Sequence, residues 1–208
     1  LMDYHRPVEC DQLLPAGRLR EPASGKERAD LLIVTKCPPT LNLKECERIR
    51  QRIHPLPHQE VFFTTLAYGK LYSLFMDAPA QPLDALKDKE VLLVTGIASP
   101  APLMEKVGRH AARVTPLFFG DHHNFDGADM QQIAQQFRQL PETRRLILTT
   151  EKDASRLIGH PQLSEELKPY IYVLPIEVEF LHKGELVFNP KIIEYVRKNS
   201  KNSCLSEG

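Results

Sequence analysis

Tryptophan is absent from the 208 residues, cysteine occurs only four times, and 27 Lys and Arg are balanced by 27 Asp and Glu. Each of these scarcities excludes something. With a formal net charge of zero and an isoelectric point near 7.2, no long-range field gathers polyanions, so no nucleic-acid partner is expected. Cys10, Cys37, Cys46 and Cys204 form neither a C-x-x-C pair nor a Cys/His zinc spacing. That pattern points to reduced thiols and a cytosolic compartment. No apolar run approaches the ~20 residues a membrane-spanning helix needs; the longest, Val61 to Met76, is interrupted by Thr, Gly, Lys and Ser. A soluble or peripheral protein is expected. No G-x-G occurs, and neither Gly25-Lys26 nor Gly69-Lys70 is followed by a hydroxyl residue, so these residues carry no phosphate-cradling loop. D-x-D, a common spacing for paired metal-binding carboxylates, is missing as well. The first residues do not read as a signal peptide; Leu1-Met2-Asp3-Tyr4 reads instead as the end of a buried strand, and a preceding portion is expected.

What is present is an α/β rhythm. Asp30-Leu-Leu-Ile-Val-Thr35 is the short, nearly all-apolar run of a strand buried on both faces. Leu41 to Ile53 spaces its apolar residues as an amphipathic helix and stops before Pro55 and Pro57. Glu60 to Phe75 is rich in Val, Phe, Thr and Tyr, as one long strand or a bent pair, and the Pro-containing stretch Asp77 to Asp88 reads as a boundary. Beyond it strands alternate with helices: 91–95, 100–110, 113–119, 127–140, 145–150, 151–158 and 170–174. Such alternation argues for a parallel sheet. The tail suggests a hairpin, Glu177 to Leu181 and Glu185 to Phe188, turned by His182-Lys183-Gly184, then a helix opened by Pro190.

In open parallel sheets, ligands bind outside the carboxyl ends of the strands. The polar loops there are Thr35 to Pro38, Thr95 to Pro100, Gly120 to Asp126 and Thr149 to Asp153. The third is chemically densest, with Asp121, His122, His123 and Asp126 within six residues, a set suited to acid/base work or to an oxygen- and nitrogen-liganded metal. A metal-dependent phosphoesterase of the kind named for the Asp-His-His triplet is therefore one reading, and helix capping by Asp126 beside solvated histidines is another. Thr150 is placed to cap a helix, with Glu151 and Asp153 complementing its dipole, while Lys152 at that helix start suits a phosphate or carboxylate partner. Thr35-Lys36, after a buried strand, resembles the place where nucleotide-binding α/β proteins touch a base. Arg18 and Arg20, in a loop stiffened by Pro15 and Pro22, match phosphate geometry. A non-catalytic small-ligand module on a flavodoxin-like sheet is a third reading.

Five segments occur in a telling order: Leu14-Pro-Ala-Gly-Arg-Leu-Arg-Glu-Pro22, Arg28-Ala-Asp-Leu-Leu-Ile-Val-Thr-Lys36, Thr95-Gly-Ile-Ala-Ser-Pro100, Phe119-Gly-Asp-His-His-Asn-Phe125 and Thr149-Thr-Glu-Lys-Asp-Ala154. Together they resemble the tetraacyldisaccharide 4'-kinases, the lipid A 4'-kinases of Gram-negative bacteria. The resemblance implies a P-loop-kinase-like three-layer α/β/α protein of two domains joined by a β-strand linker, the first domain incomplete here. It divides the chain into residues 1–58 as the end of the kinase core, 59–89 as linker, 90–176 as the second domain, and 177–208 as hairpin and terminal helix. It implies ATP and Mg as cofactors and phosphoryl transfer to the 4'-hydroxyl of a lipid A disaccharide precursor, peripherally at the cytoplasmic face of the inner membrane. His122, with Asp121 beside it, would support a catalytic aspartate that precedes these residues. Arg20, Glu21 and Arg18 would face the substrate headgroup, and Lys36 and Lys152 the nucleotide. The phosphate loop and metal ligands of the family precede the Pro-Ala-Gly-Arg-Leu-Arg-Glu-Pro loop, so the 208 residues alone are expected to be inactive and to need the N-terminal portion. Gly120 departs from the residue many members carry.

Overall fold

A computed structural model describes residues 1–7, 12–17, 19 and 21–203. They fall into two compact units, Leu1–Ala67 with Val178–Gly208, and Tyr68–Glu177.

The first unit is built on a sheet of order β1-β2-β3-β9, with β1 at Met2–Asp3, β2 at Leu31–Thr35, β3 at Glu60–Tyr68 and β9 at Ile176–Phe180. β1, β2 and β3 are parallel, and Leu31 to Val34 register with Glu60 to Phe63. Helix α1 (Leu43–Ile53) crosses between β2 and β3. Asn42 starts it with a capping box: its side chain accepts from the Glu45 amide, and the Glu45 carboxylate accepts from the Asn42 amide. Cys46 and Ile53 of α1 pack with Leu32, Val34, Val61 and Phe63 into one core. Cys37 and Cys46 are free and buried. Desolvation pushes the Cys37 thiol up to about 11, so it behaves as a small apolar group.

The second unit holds a five-stranded sheet of order β4-β8-β7-β5-β6, with β4 at Tyr72–Ser73, β5 at Glu90–Thr95, β6 at Arg113–Phe118, β7 at Arg145–Thr150 and β8 at Ile171–Leu174. The last four are mutually parallel, and β4 is an antiparallel edge against β8. Leu92 and Val94 face one core with Met130, Ile133 and Phe137 of α3 (Gly127–Arg138) and Leu157 of α4 (Glu151–Leu157). Val91 and Leu93 face the other, with Leu103 and Val107 of α2 (Ala101–Gly108). This is why the β5 sequence does not alternate: both of its faces are covered. Each fully buried Leu or Phe here contributes about 1.5–3 kcal/mol. The result is a three-layer α/β/α arrangement, as the family resemblance implies, on the parallel sheet expected from the strand and helix rhythm.

The region read as a linker divides between the units. β3 belongs to the first sheet through its register with β2, whereas β4 belongs to the second through Tyr72 and Ser73 opposite Val173 and Tyr172. The expected tail hairpin does not form. β9 is followed by a 3-10 turn at Leu181–Lys183 and then by α5 (Glu185–Ser203), which runs through residues 185–188 and carries Pro190 inside it. The aromatic packing explains the choice. As a helical residue Phe188 sits edge-on to Phe62 at 5.4 Å and against Phe180 at 4.8 Å. Gly184 is needed for closeness rather than for a hairpin turn: its φ is −57°, and an added Cβ would stand 3.3 Å from the Phe180 ring. His182 and Lys183 take the positive φ values instead. Among the described residues, no helix is long and apolar enough to cross a membrane.

Candidate functional site

Three of the four loops singled out in the sequence meet at the carboxyl edge of the second sheet. β5 ends at Thr95, β6 at Phe118 and β7 at Thr150, on adjacent parallel strands whose order fixes the loops side by side. Their closeness is visible at Gly96, where an added Cβ would lie 3.0 Å from the Gly120 carbonyl oxygen and 3.4 Å from both Asp153 Oδ1 and His123 Cβ.

The β6–α3 loop is held from several sides. His123 stacks on Phe119 at 4.9 Å and meets Phe125 edge-on. Its Nε2 lies 2.6 Å from Asp129 Oδ2. Asp126 caps α3, its Oδ1 accepting from the Ala128 and Asp129 amides. Burial acts to raise the Asp129 carboxyl, but the His123 hydrogen bond and the Asp126 amide outweigh it and hold the group below the usual carboxylate range. His123 and Asp126 are therefore committed to the loop's own architecture, and among the described residues no three His, Cys, Asp or Glu side chains are grouped to hold a metal. The Asp126 cap is the one the capping reading expected, but of the two histidines that reading left in solvent His123 is packed and bonded instead; this removes two of the four donors a phosphoesterase site would use.

His122 is placed differently from His123. Its φ is 59°, a left-handed conformation uncommon outside glycine, and its side chain is 76% exposed. Asp121 accepts the Lys152 ammonium at 2.8 Å and the His122 amide at 3.0 Å on the same Oδ1, while its Oδ2 stands 3.8 Å from His122 Nε2. The Lys152 hydrogen bond, with help from His122, keeps the Asp121 carboxyl low. Lys152 thus faces a carboxylate of its own chain.

Beneath this surface sits Asp153, with no solvent exposure. Its Oδ2 accepts from Thr95 Oγ1 at 2.7 Å, Thr150 Oγ1 at 2.8 Å and the Gly96 amide at 3.1 Å. In the sequence Asp153 read only as a complement to the helix dipole. Its spacing of three from Arg156 was the available sign of a further contact.

In the first unit Lys36 also has a positive φ, 58°, but its Nζ pairs with Asp3 Oδ2 at 2.7 Å. Glu21 is exposed and ion-paired with Arg28. Arg18 and Arg20 lie outside the described residues. Lys36 and Lys152 are each engaged by a carboxylate, no phosphate loop occurs in the sequence, and no metal cluster forms among the described residues. The described residues do not by themselves fit an ATP phosphate or Mg site.

Comparison with known proteins gives this geometry a context. Residues 1–192 match the family model for tetraacyldisaccharide-1-P 4'-kinase. The chain belongs to that family. It is 50% identical to the tetraacyldisaccharide 4'-kinase of Phocaeicola vulgatus over 99% of its own length and 57% of the relative's. Against the Bacteroides thetaiotaomicron kinase the identity is 48%, over 100% of this chain and 57% of that one. The chain therefore spans little more than half the length of these curated relatives. The crystal structure of LpxK from Aquifex aeolicus in complex with ATP superposes with a TM-score of 0.50 at 22% identity, covering 89% of this chain and 48% of that one. This likeness concerns the fold, and it agrees with the parallel α/β sheets described above.

Proposed function

We propose that these residues are the part of a tetraacyldisaccharide 4'-kinase that contributes His122 to phosphoryl transfer from ATP onto the 4'-hydroxyl of a lipid A disaccharide precursor. The family match over residues 1–192 carries the reading. The Aquifex aeolicus relative was crystallised with ATP, which supports the nucleotide as donor. The ATP phosphates and Mg would be held chiefly by residues outside these 208, since among the described residues no loop is built for them.

The chain's own contribution is positional. Of the loop's two imidazoles, His122 is the exposed one while His123 is bonded into the loop, as expected of a group that hydrogen-bonds a carboxylate supplied from elsewhere and orients it to accept the sugar hydroxyl proton. Arg18, Arg20 and Glu21 would take the headgroup, with the two guanidinium forks suited to its phosphate. Lys36 and Lys152 would serve the nucleotide only after leaving Asp3 and Asp121. The enzyme would work peripherally at the cytoplasmic face of the inner membrane, where its lipid substrate resides.

The test is ATP-dependent phosphorylation of a tetraacylated disaccharide 1-phosphate by this chain, alone and mixed with a separately produced N-terminal portion, as wild type and as His122→Ala. No transfer by the chain alone, transfer by the mixture and a sharp fall in turnover for His122→Ala with ATP binding retained is the expected pattern. Folded pieces that never complement would overturn it.

A further inference from the structure

Resting on the kinase reading above, we infer that Arg156 is a positioning residue for the reaction: it ties the loop bearing His122 to a buried carboxylate, Asp153. Three observations in the second unit carry this. Asp153 is fully buried, and although Oδ2 takes three hydrogen bonds from the ends of β5 and β7, Oδ1 has none. The positive group beside that bare oxygen is Arg156 Nη1, at 3.5 Å. The same Nη1 donates to the backbone carbonyl of His123 at 3.1 Å. One guanidinium nitrogen therefore spans from the buried carboxylate to the carbonyl of the residue that follows His122.

The physical argument is one of constraint. A carboxylate without water is costly unless paired, so the half-satisfied Asp153 draws the guanidinium inward and limits its rotamers. Arg156 is only 23% exposed at the side chain, as that anchoring requires. Its carbonyl acceptor lies directly after a residue held at positive φ, a conformation that persists only when surroundings over-determine it. From the other side the loop is limited by Gly96, where a Cβ would meet the Gly120 carbonyl at 3.0 Å. The stacking of His123 on Phe119 and its bond to Asp129 fix the ring of the neighbouring residue, but they do not reach the His123 carbonyl. Arg156 does. A guanidinium offers several donors in a fixed fork, whereas a lysine would offer one charge on a shorter reach, so partial rescue by Lys is diagnostic of the contact.

The closing experiment has two independent readouts on Arg156→Ala and Arg156→Lys. Amide hydrogen exchange is followed by mass spectrometry in the 120–124 segment, with the strands 91–95 and 145–150 as internal controls. Phosphoryl transfer is followed in the complete enzyme containing these residues, with ATP and the tetraacylated disaccharide 1-phosphate. For Arg156→Ala, exchange at 120–124 is expected to speed up by about tenfold while the strand controls hold. Turnover is expected to fall on the order of 10- to 100-fold with KM for both substrates little changed, since a displaced His122 affects the transition state rather than binding. Arg156→Lys should recover part of both. Unchanged exchange overturns the tie between Arg156 and the loop, and faster exchange with full turnover overturns its role in the reaction. If wild-type enzyme transfers no phosphate at all, the kinase reading fails, and with it the catalytic purpose assigned here, whatever the exchange shows.

Discussion

Lys36 and His122 occupy equivalent places in two different sheets: each follows a parallel strand near its carboxyl end, and each has a φ close to 60°. Their side chains meet opposite fates. The Lys36 ammonium is bonded to Asp3 at 2.7 Å, whereas the His122 imidazole is mostly in solvent, with its nearest ion-pairing oxygen 3.8 Å away on its own neighbour. In the first unit the unusual backbone is repaid locally by an ion pair. In the second no side-chain contact of comparable quality accounts for it, and the strain is sustained by the surrounding loop through His123, Asp126 and Arg156. A costly conformation without a local reason is the better pointer to a working group.

The contrast is most exposed at His122. In the reconstituted enzyme, His122→Ala is expected to lower turnover by about 10²- to 10⁴-fold, the usual range for a residue assisting proton transfer. His122→Gly should abolish the same activity yet raise stability by up to about 1 kcal/mol in urea unfolding, because glycine relieves the left-handed backbone. If His122→Gly leaves turnover intact, the conformation serves the loop and not the chemistry. Next in size is Asp153→Ala, which strands the Thr95 and Thr150 hydroxyls and the Gly96 amide together. A loss of about 2–4 kcal/mol is expected, read from the urea midpoint at constant slope. A loss below about 0.5 kcal/mol would mean that water or rotamer changes satisfy those donors, and that the support beneath the loop is not where the structure puts it.

How far the sequence reaches can be judged from the same residues. The strand–helix series of the second unit was legible because Val91 to Thr95 and Arg145 to Thr150 are short apolar runs, the first followed by a helix that starts at prolines and the second by a helix that Thr150 caps. The convergence of their loops followed from parallel order. The density of titratable groups in 121–126 was also legible, but not their division of labour: whether His122 or His123 would be the exposed one depends on Phe119, Phe125 and Asp129, which close over His123 from different positions. The tail misled for a related reason. His182-Lys183-Gly184 has hairpin chemistry, but Phe188 gains Phe62 and Phe180 as partners by being helical, and long-range aromatic packing outweighs a local turn preference. The i,i+3 spacing of Asp153 and Arg156 was there to be read, but the tie from Arg156 to the loop was not, because its acceptor is a backbone carbonyl 33 positions away.

Smaller effects sharpen the contrast from the other side. Lys36→Ala removes an ion pair whose partners are 41% and 23% exposed, so a stability loss of at most about 1 kcal/mol is expected by urea titration. A loss of turnover far beyond that in the reconstituted enzyme would place Lys36 with His122 as a working group and dissolve the distinction.

The pH dependence separates the two loops more finely. Burial acts to raise the Asp3 carboxyl, but the hydrogen bonds from Lys36 and from the His5 amide prevail and hold it low; Asp129 is lowered in the same sense by His123 and the Asp126 amide. A carboxyl whose folded value is depressed contributes stability that is complete above its unfolded value of about 3.9 and is lost as pH falls through the folded one. Both contributions should therefore be level at neutral pH and fade below about pH 4. Lys36→Ala should flatten that acid limb by its Asp3 share, and His123→Ala by its Asp129 share. His122→Ala should touch neither, because its imidazole holds no carboxylate at hydrogen-bonding distance; it removes only the lesser charge contribution that helps keep the exposed Asp121 low, beside a Lys152 hydrogen bond that remains. If His122→Ala shifts the acid limb as much as His123→Ala does, the exposed histidine is bonded into the loop after all, and the asymmetry between the two imidazoles is lost.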